Sequence, residues 1–312
     1  MAALEQPVPA VLACGEVRTS LLQSLAALDS RAAAQLLRLR DDESVHVSER
    51  PNLYVRSREV LTGVDCRLPT SDGAKVRAVG TVAARAGLVE GRVLQTSAYF
   101  CAPDEGPEAR RPWGLYLVRP GVLEPFGRLP GESVATGVLR GPGRGELDLG
   151  MIAEQLRDQL VCHALLDRRV PFKARLSKLR WAALRAEDGE AASLECFTLA
   201  RDGLRTVELR LPEGASAVAA AGLCEDLALH DWLLTTVIRM LERGDPPAVH
   251  AVAVHLLHLW LPRARVDRSL VHLWDALEEH PGFTRQWHNL AQRVRDRLAI
   301  EAVTLPHGRH DI

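Results

Sequence analysis

Residues 248–261 constrain the fold more than any other stretch, because their sequence, AVHAVAVHLLHLWL, contains no charged side chain. A helix on a protein surface carries charged residues along one side, and this segment has none to place there. Prolines at positions 246, 247 and 262 mark its two ends. The alternation in AVHAVAV would also suit a strand, but fourteen residues exceed the usual strand length. The segment is shorter than the roughly 20 residues that span a bilayer, and it predicts the buried central helix of a C-terminal bundle.

The composition suits a globular protein of the cytosol. With 312 residues the chain is long enough for two domains, or for one large domain with an appendage. A net charge of −1 argues against a surface adapted as a whole to nucleic acid or to acidic lipid. The six cysteines include no C-x-x-C pair, which favours free thiols and a cytoplasmic location. The apolar run before Cys14 is too short for a lipoprotein signal, so no membrane attachment is expected.

The N-terminal part of the chain has the pattern of strands. Apolar alternation between turn signals predicts a β-rich part over residues 1–212, with strands that include 75–86, 92–101 and 113–118. A three-stranded antiparallel meander is expected from three strands joined by turns with Asp-Gly, at 173–185, 193–200 and 204–211. The sequence LRGPGRG at 139–145 suggests an internal break near 139–147.

The C-terminal part, residues 213–312, has the pattern of helices. Four are expected, at 215–242, 248–261, 266–280 and from 283 onwards. The last has a regular apolar stripe, formed by Phe283, Trp287, Leu290, Val294 and Leu298. Each of the four contains one tryptophan, which favours a shared core over a ligand cage. The predicted fold class is therefore α+β: a β-rich N-terminal domain at 1–212 and a C-terminal α-helical bundle at 213–312.

Four short sequences carry a resemblance to a known family. They are GEVRTSLLQ (15–23), VLTGVDCRLPT (60–70), RAVGTVAARA (77–86) and CEDLALHDWLL (224–234). Together they resemble a family of uncharacterised actinobacterial proteins whose genes lie beside a variant P-loop protein. The resemblance implies a component of a small multi-protein system, with other proteins of that system, the P-loop protein among them, as partners. It supplies no site residues.

Three histidines of the segment 248–261 raise the possibility of a metal site. His255 and His258 lie on one helical face, and His250 lies about 80° away around the axis. The zinc-protease pattern H-E-x-x-H is absent, because Leu256 stands where the glutamate would be. No neighbouring carboxylate completes a ligand set, so we assign no metal and favour histidines hydrogen-bonded to adjacent helices. A metal-dependent hydrolase centred on these histidines stays as an alternative.

Other fragments resemble pieces of catalytic sites. They are His230-Asp231, His272 with Asp275, Trp287-His288-Asn289 and Cys162-His163. Adjacent residues on a helix point in different directions, so neither His230-Asp231 nor Cys162-His163 can pair directly as a triad does. His272 and Asp275 can meet, but this spacing is more typical of a pair on a helix surface. No G-x-S-x-G sequence supplies a nucleophilic serine. We therefore assign no catalytic residue and no cofactor, and an enzyme is not the favoured class.

The most suggestive polar stretch is 168–185. It contains seven basic residues without an acid, and its candidate binding residues are Arg168, Arg169, Lys173, Arg175, Lys178, Arg180, Trp181 and Arg185. Basic residues with interleaved aromatics on a strand are typical of sheets that bind single-stranded nucleic acid. The other interpretation is a solvated strand balanced by Glu195 and Glu208, with Trp181 in the core.

Because every catalytic pattern is incomplete, we favour a non-enzymatic function. The chain is expected to be a cytosolic scaffold or adaptor that docks partner proteins. A nucleic-acid-binding component that uses the stretch 168–185 is the main alternative.

Overall fold

The computed structural model of the chain describes residues 12–40, 44–187, 189–200, 203–244 and 246–304. Its strands are β1 (Leu12–Leu21), β2 (His46–Ser48), β3 (Tyr54–Arg56), β4 (Val60–Arg67), β5 (Arg77–Val89), β6 (Val93–Ala102), β7 (Leu123–Pro125), β8 (Ser177–Arg185), β9 (Ser193–Leu199) and β10 (Leu204–Leu211). Its helices are α1 (Ser30–Leu37), α2 (Trp113–Leu117), α3 (Gly131–Arg140), α4 (Leu149–Val161), α5 (Ala217–Arg243), α6 (Pro246–His255), α7 (Leu273–Glu279) and α8 (Phe283–Thr304). A short 3-10 helix, Leu257–Leu259, follows α6.

The strands of the described residues form one mixed sheet of ten strands. Their order is β2-β3-β5-β6-β1-β8-β10-β9, and β4 and β7 also pair with β5. Helices α1, α3 and α4 pack on one face, and α5 leads the C-terminal helices onto the other. The expectation of a mixed α and β fold, with strands mainly before the C-terminal helices, is confirmed.

The long strand β5 shows why both faces of the sheet are covered. Successive residues of a strand point to opposite faces. Ala83 and Val89 belong to the core beneath the C-terminal helices, whereas Val82 and Ala84 belong to the core beneath α1, α3 and α4. Of the thirteen residues of β5, only the first is exposed. The sheet is therefore the middle of three layers.

The predicted antiparallel meander is wrong in its order. The neighbour of β8 is β10, which runs parallel to it, and β9 pairs antiparallel with the far side of β10. Burial explains this order. Val207 and Leu209 of β10 lie fully buried in the core, whereas no residue of β9 is fully buried. Strand β9 therefore suits the edge of the sheet, where one side of a strand stays open.

The segment 113–118, expected to be a strand, contains the short helix α2 instead. The indole of Trp113 contacts the ring of Tyr116 edge-on, with ring centroids 5.6 Å apart. Residues three apart are neighbours on a helix, so this contact favours a helical turn over a strand. Helix α3 was not anticipated from the sequence, and it ends at the LRGPGRG sequence, with Gly141 as its C-terminal cap.

The segment 248–261 is not a buried central helix. Helix α6 ends at His255, and Val254 is 51% exposed. Only one side of the segment is buried, through Val249, Val252 and Leu256. The central position belongs to α5, which has 27 residues and packs on β1, β6 and β8. The sequence indicates the wrong central helix for two reasons. Helix α5 buries acidic residues that are paired with arginines, and α6 exposes Val254 and His250.

None of the described helices is long and apolar enough to cross a membrane.

A matched pair of substitutions in α6 tests this arrangement. Val252 is 0% exposed and Val254 is 51% exposed, although they are two residues apart. Val252→Asp places an unpaired carboxylate in the core and should cost at least about 3 kcal/mol of unfolding free energy. Val254→Asp should change it by less than about 0.5 kcal/mol. Urea denaturation measures both, and equal losses would contradict the one-sided burial of α6.

Candidate functional site: an arginine-lined cleft

The three histidines of the predicted metal site are not brought together. His250 and His258 are exposed, and the imidazole of His255 stacks on Phe172, with ring centroids 6.3 Å apart. Partial burial is the main cause that lowers the pKa of His255, and the positive charge of Arg92 adds to it. Within the described residues, no group of three or more His, Cys, Asp or Glu side chains is arranged to hold a metal ion.

The basic stretch 168–185 does not form one surface. Trp181 is 0% exposed and lies in the core that β8 shares with α5, so its indole cannot stack on a base. Arg180 points to the opposite face, where its Nε donates to Glu16 Oε2 at 3.1 Å. Arg185 lies 3.6 Å from a carboxylate oxygen of Glu213. The remaining basic residues are exposed, at Arg168, Arg169, Lys173, Arg175 and Lys178.

The fragments that resemble catalytic sites have structural partners. His230 is fully buried, its Nδ1 lies 2.7 Å from the carbonyl oxygen of Asp226, and its ring contacts Trp260 and Trp274 edge-on. Burial is the main cause that lowers the pKa of His230, which keeps the imidazole neutral near pH 7. Asp231 pairs instead with Arg205. These contacts stabilise the C-terminal helices and leave no route for a substrate to His230.

His272 and Asp275 also have separate partners. The Nε2 atom of His272 lies 2.9 Å from the carbonyl oxygen of Ala192, and Asp275 accepts a hydrogen bond of 2.7 Å from Arg263. The two residues are therefore not paired with each other.

A cleft of about 820 Å³ lies at the end of the sheet formed by β2 and β3. It opens between these strands, the first turn of α5 and the residues after α2. Its basic lining residues are Arg40, His46, Arg56, Arg58 and Arg85. Its apolar lining residues are Val45, Leu61, Leu117, Pro120 and Val218. Glu59 is the one acidic residue among the described lining residues. The cleft thus has a cationic part and an apolar part.

Strand pairing places the cationic side chains on one face of the sheet. His46 lies directly opposite Arg56 in the ladder of β2 and β3, so their Cβ atoms are roughly 5 Å apart on the same side. Arg56 is in turn opposite Gly87 of β5. Arg85 precedes Gly87 by two residues and therefore points to the same face. The face is the one that α5 covers further along the sheet.

The backbone between Arg56 and Arg58 is held by Ser57. Its N–H donates to the carbonyl oxygen of Ala86 at 2.9 Å, and its Oγ accepts from the N–H of Ala86 at 3.0 Å. The same hydroxyl donates to the carbonyl oxygen of Arg58 at 2.8 Å. Ser57 is buried, so these bonds are shielded from water. They fix the positions from which both arginines project.

A buried ion pair forms the floor of the cleft. The guanidinium of Arg85 donates two hydrogen bonds to the carboxylate of Glu225 on α5, at 2.8 and 2.9 Å. Ser97 Oγ also donates to this carboxylate, and Gln95 donates to the carbonyl oxygen of Glu225 at 2.8 Å. Burial by itself would lower the pKa of Arg85, but the charge and hydrogen bonds of Glu225 outweigh it and raise the pKa. Arg85 is thus permanently charged and already neutralised.

Glu59 is a second carboxylate beside the guanidinium of Arg85. Tyr99 donates its hydroxyl hydrogen to Glu59, and an Arg85 nitrogen lies 3.6 Å from the same carboxylate. Burial is the main cause that raises the pKa of Tyr99, so it stays a hydrogen-bond donor. Arg56 and Arg58, by contrast, form no salt bridge within the part of the chain that the structure describes. Among the described residues they are the two cleft arginines without a salt bridge.

An apolar surface adjoins the cleft. Four large side chains of α2 and the next residue are exposed, and we call them the α2 ridge: Trp113 (38%), Leu115 (51%), Leu117 (56%) and Val118 (68%). Leu117 belongs both to the ridge and to the cleft lining. The ridge therefore adjoins the cleft at Leu117.

Sequence reasoning missed this site because its residues come from segments far apart in the chain. The arginines of the cleft lie where the chain leaves β3 and enters β4, between Arg56 and Val60. No known protein family, curated protein or solved structure is significantly similar to the chain. The resemblance to the actinobacterial family therefore stays a prediction.

The ion pair at the cleft floor should be essential to the fold, whereas the open arginines should not. Glu225→Ala leaves the Arg85 guanidinium buried without its counterion and should lower the unfolding free energy by about 3–5 kcal/mol. Arg56→Ala removes a charge that forms no salt bridge with the described residues, and it should change the unfolding free energy by less than about 0.5 kcal/mol. Urea denaturation of both variants measures this difference. Similar losses would show that Arg85 and Glu225 do not hold α5 to the sheet.

Proposed function

We propose that the chain is a non-enzymatic adaptor of the cytosol that docks a partner protein on the α2 ridge and in the adjoining cleft. The observation that carries this proposal is the ridge itself. Its four large apolar side chains are exposed within six residues of chain, from Trp113 to Val118. Single exposed apolar residues are ordinary, but four large ones within so short a segment are typical of an interaction surface.

The cleft indicates what kind of segment the partner supplies. Arg56 and Arg58 offer positive charge at one end of the surface, and the ridge offers apolar contact at the other. The complementary partner segment has apolar side chains for the ridge and an anionic group for the arginines. Trp113 is a suitable anchor, because large aromatics dominate the energy of interfaces. From the family resemblance, the P-loop protein is the first partner to test.

The alternatives have less support from the geometry. Nucleic-acid binding by the stretch 168–185 depended on Trp181 as a stacking platform, and that indole is in the core. The hydrolase alternative depended on His250, His255 and His258 as joint ligands, and they are dispersed. Docking needs neither arrangement.

Affinity purification with ridge variants tests the proposal. The double variant Leu115→Glu with Val118→Glu places two carboxylates on the ridge, where they oppose apolar contact and an anionic segment. We expect it to bind the partner at least about tenfold more weakly than wild type, which corresponds to 1.4 kcal/mol. The partner is identified by mass spectrometry after capture from the native host, and its binding is then measured with both proteins purified.

A matched control separates the ridge from exposed apolar residues in general. Leu199→Glu with Val254→Glu adds the same charge at positions that are 61% and 51% exposed but distant from α2 in the fold. This control should bind the partner like wild type. Full binding by the ridge variant, or equal loss in ridge and control variants, would overturn the proposal. Capture of RNA rather than protein, removed by nuclease, would favour the nucleic-acid alternative.

A further inference from the structure

We infer that a second cavity, beside the start of β1, is a docking pocket for residues 1–11 of the same chain, and that these residues occupy it in the free protein. Neither the α2 ridge nor the arginine-lined cleft takes part in this contact. The segment then blocks the cavity, because any other apolar segment has to displace it before it can bind.

The cavity lies where the chain enters the sheet, and its volume is about 780 Å³. Leu12, the first residue of β1, pairs with Leu184 of β8, and Leu184 pairs with Arg210 of β10. Leu184 and Arg210 both line the cavity. On its other side Leu12 pairs with Ala102 of β6, shortly before Asp104, which is also a lining residue. The chain therefore reaches β1 from the rim of the cavity.

The apolar wall of the cavity belongs to the core that holds Leu12. Val76, Leu129 and Leu184 line the cavity, and they are members of the same buried cluster as Leu12. Leu12 is 0% exposed, so the chain is firmly packed at the point where it meets the cavity. Val8 precedes Leu12 by four residues, which span at most roughly 14 Å. The segment before β1 is therefore long enough to lie along the apolar wall.

The composition of this segment suits an apolar pocket. Its sequence is MAALEQPVPAV, in which Glu5 and Gln6 are the only polar side chains. Proline fixes its own φ angle and favours extended backbone at the residue before it. Pro7 and Pro9 thus restrict the unbound segment, so less conformational entropy is lost when it docks. Residues 7–11 are therefore suited to docking as an extended apolar segment.

The charges of the lining residues favour an occupant that is nearly neutral. The lining arginines of β8 and β10 are paired with acids, Arg185 with Glu213 and Arg210 with Glu132. The other two charged lining residues, Arg128 and Asp104, have opposite signs. Among the described residues, a strongly charged ligand thus finds no excess of opposite charge. Residues 1–11 bring a single charged side chain, Glu5, which Arg128 can meet.

The covalent link favours this segment over any unlinked one. A segment on a short linker has an effective concentration in about the millimolar range. An unlinked peptide of the same affinity has to exceed that concentration before it takes the place of the linked segment. In the free protein the linked segment is therefore the occupant of the cavity.

Photo-crosslinking in the purified full chain locates the segment. A photoreactive phenylalanine analogue replaces Val8, and the crosslinked peptides are identified by mass spectrometry after digestion. We expect crosslinks within one chain to the lining segments 74–76 and 128–133. Crosslinks mainly to other parts of the chain would contradict the docking pocket. Crosslinks between two chains would contradict its occupation by the same chain.

A peptide titration tests whether the segment blocks the cavity. Val8→Asp with Ala10→Asp places two carboxylates in the segment, which should then leave the apolar wall. A fluorescent peptide with the sequence of residues 1–11 is titrated into this full-length variant and into wild type. We expect the variant to bind the peptide at least about tenfold more tightly, because the linked segment of wild type competes at its high effective concentration.

Two tryptophan substitutions, each added to the Val8→Asp, Ala10→Asp variant, locate the bound peptide. Ala74 is exposed and lines the cavity, so Ala74→Trp fills part of the space and should weaken peptide binding at least about tenfold. Ala299→Trp adds the same side chain at an exposed position of α8 and should leave the affinity unchanged. No peptide binding to the double aspartate variant, equal binding to that variant and wild type, or equal affinities in the two tryptophan variants would overturn the inference.

Discussion

The contact between Arg85 and Glu225 is the interaction on which the arrangement of this protein depends. Arg85 lies on β5 and Glu225 on α5, and 140 residues of chain separate them. Both charges are removed from water, so each would be costly without the other. Ser97 and Gln95 of β6 bind Glu225 as well. The longest helix is therefore held at a defined position across two central strands of the sheet.

That position creates the cleft. Because α5 packs on β1, β6 and β8, its first turn lies beside the end of the sheet, and His46 of β2 and Arg56 of β3 line the cleft that stays open there. Arg56 and His46 project into the space that remains, and Ser57 holds the connection to β4 in place. The short helix α2 closes the other side with apolar residues. A structural ion pair thus determines where Arg56, Arg58 and the exposed ridge meet.

Local features could be predicted from the sequence, and the pairing of distant segments could not. Asp29 and Asp148 cap α1 and α4, as the preference for aspartate at helix starts predicts, and the stripe from Phe283 to Val294 is buried. The order of β8, β9 and β10 was misjudged because short turns suggest hairpins, while burial of Val207 and Leu209 decides the neighbour. The sequence predicts that the segment of α6 is the central helix of the C-terminal bundle, because residues 248–261 include no charged residue. Helix α5 takes that place because its buried charges, including Glu225 and Asp226, have partners elsewhere.

The candidate site was missed because it, too, depends on the pairing of segments that are distant in sequence. The basic stretch 168–185 was conspicuous because its arginines are close in sequence, but the structure distributes them over opposite faces. The arginines of the cleft are fewer and more scattered, and only the ladder of β2, β3 and β5 aligns them. Proximity in space cannot be read from one segment alone.

Site-specific photo-crosslinking in the native host tests the central claim most directly. A photoreactive phenylalanine analogue replaces Leu115 on the α2 ridge in one strain and the similarly exposed Val254 in another. The account predicts a single protein crosslinked from position 115, through a segment with apolar and anionic residues, and none from position 254. The same crosslinking pattern from both positions, or none from position 115, would contradict the claim that the ridge and cleft form a docking surface.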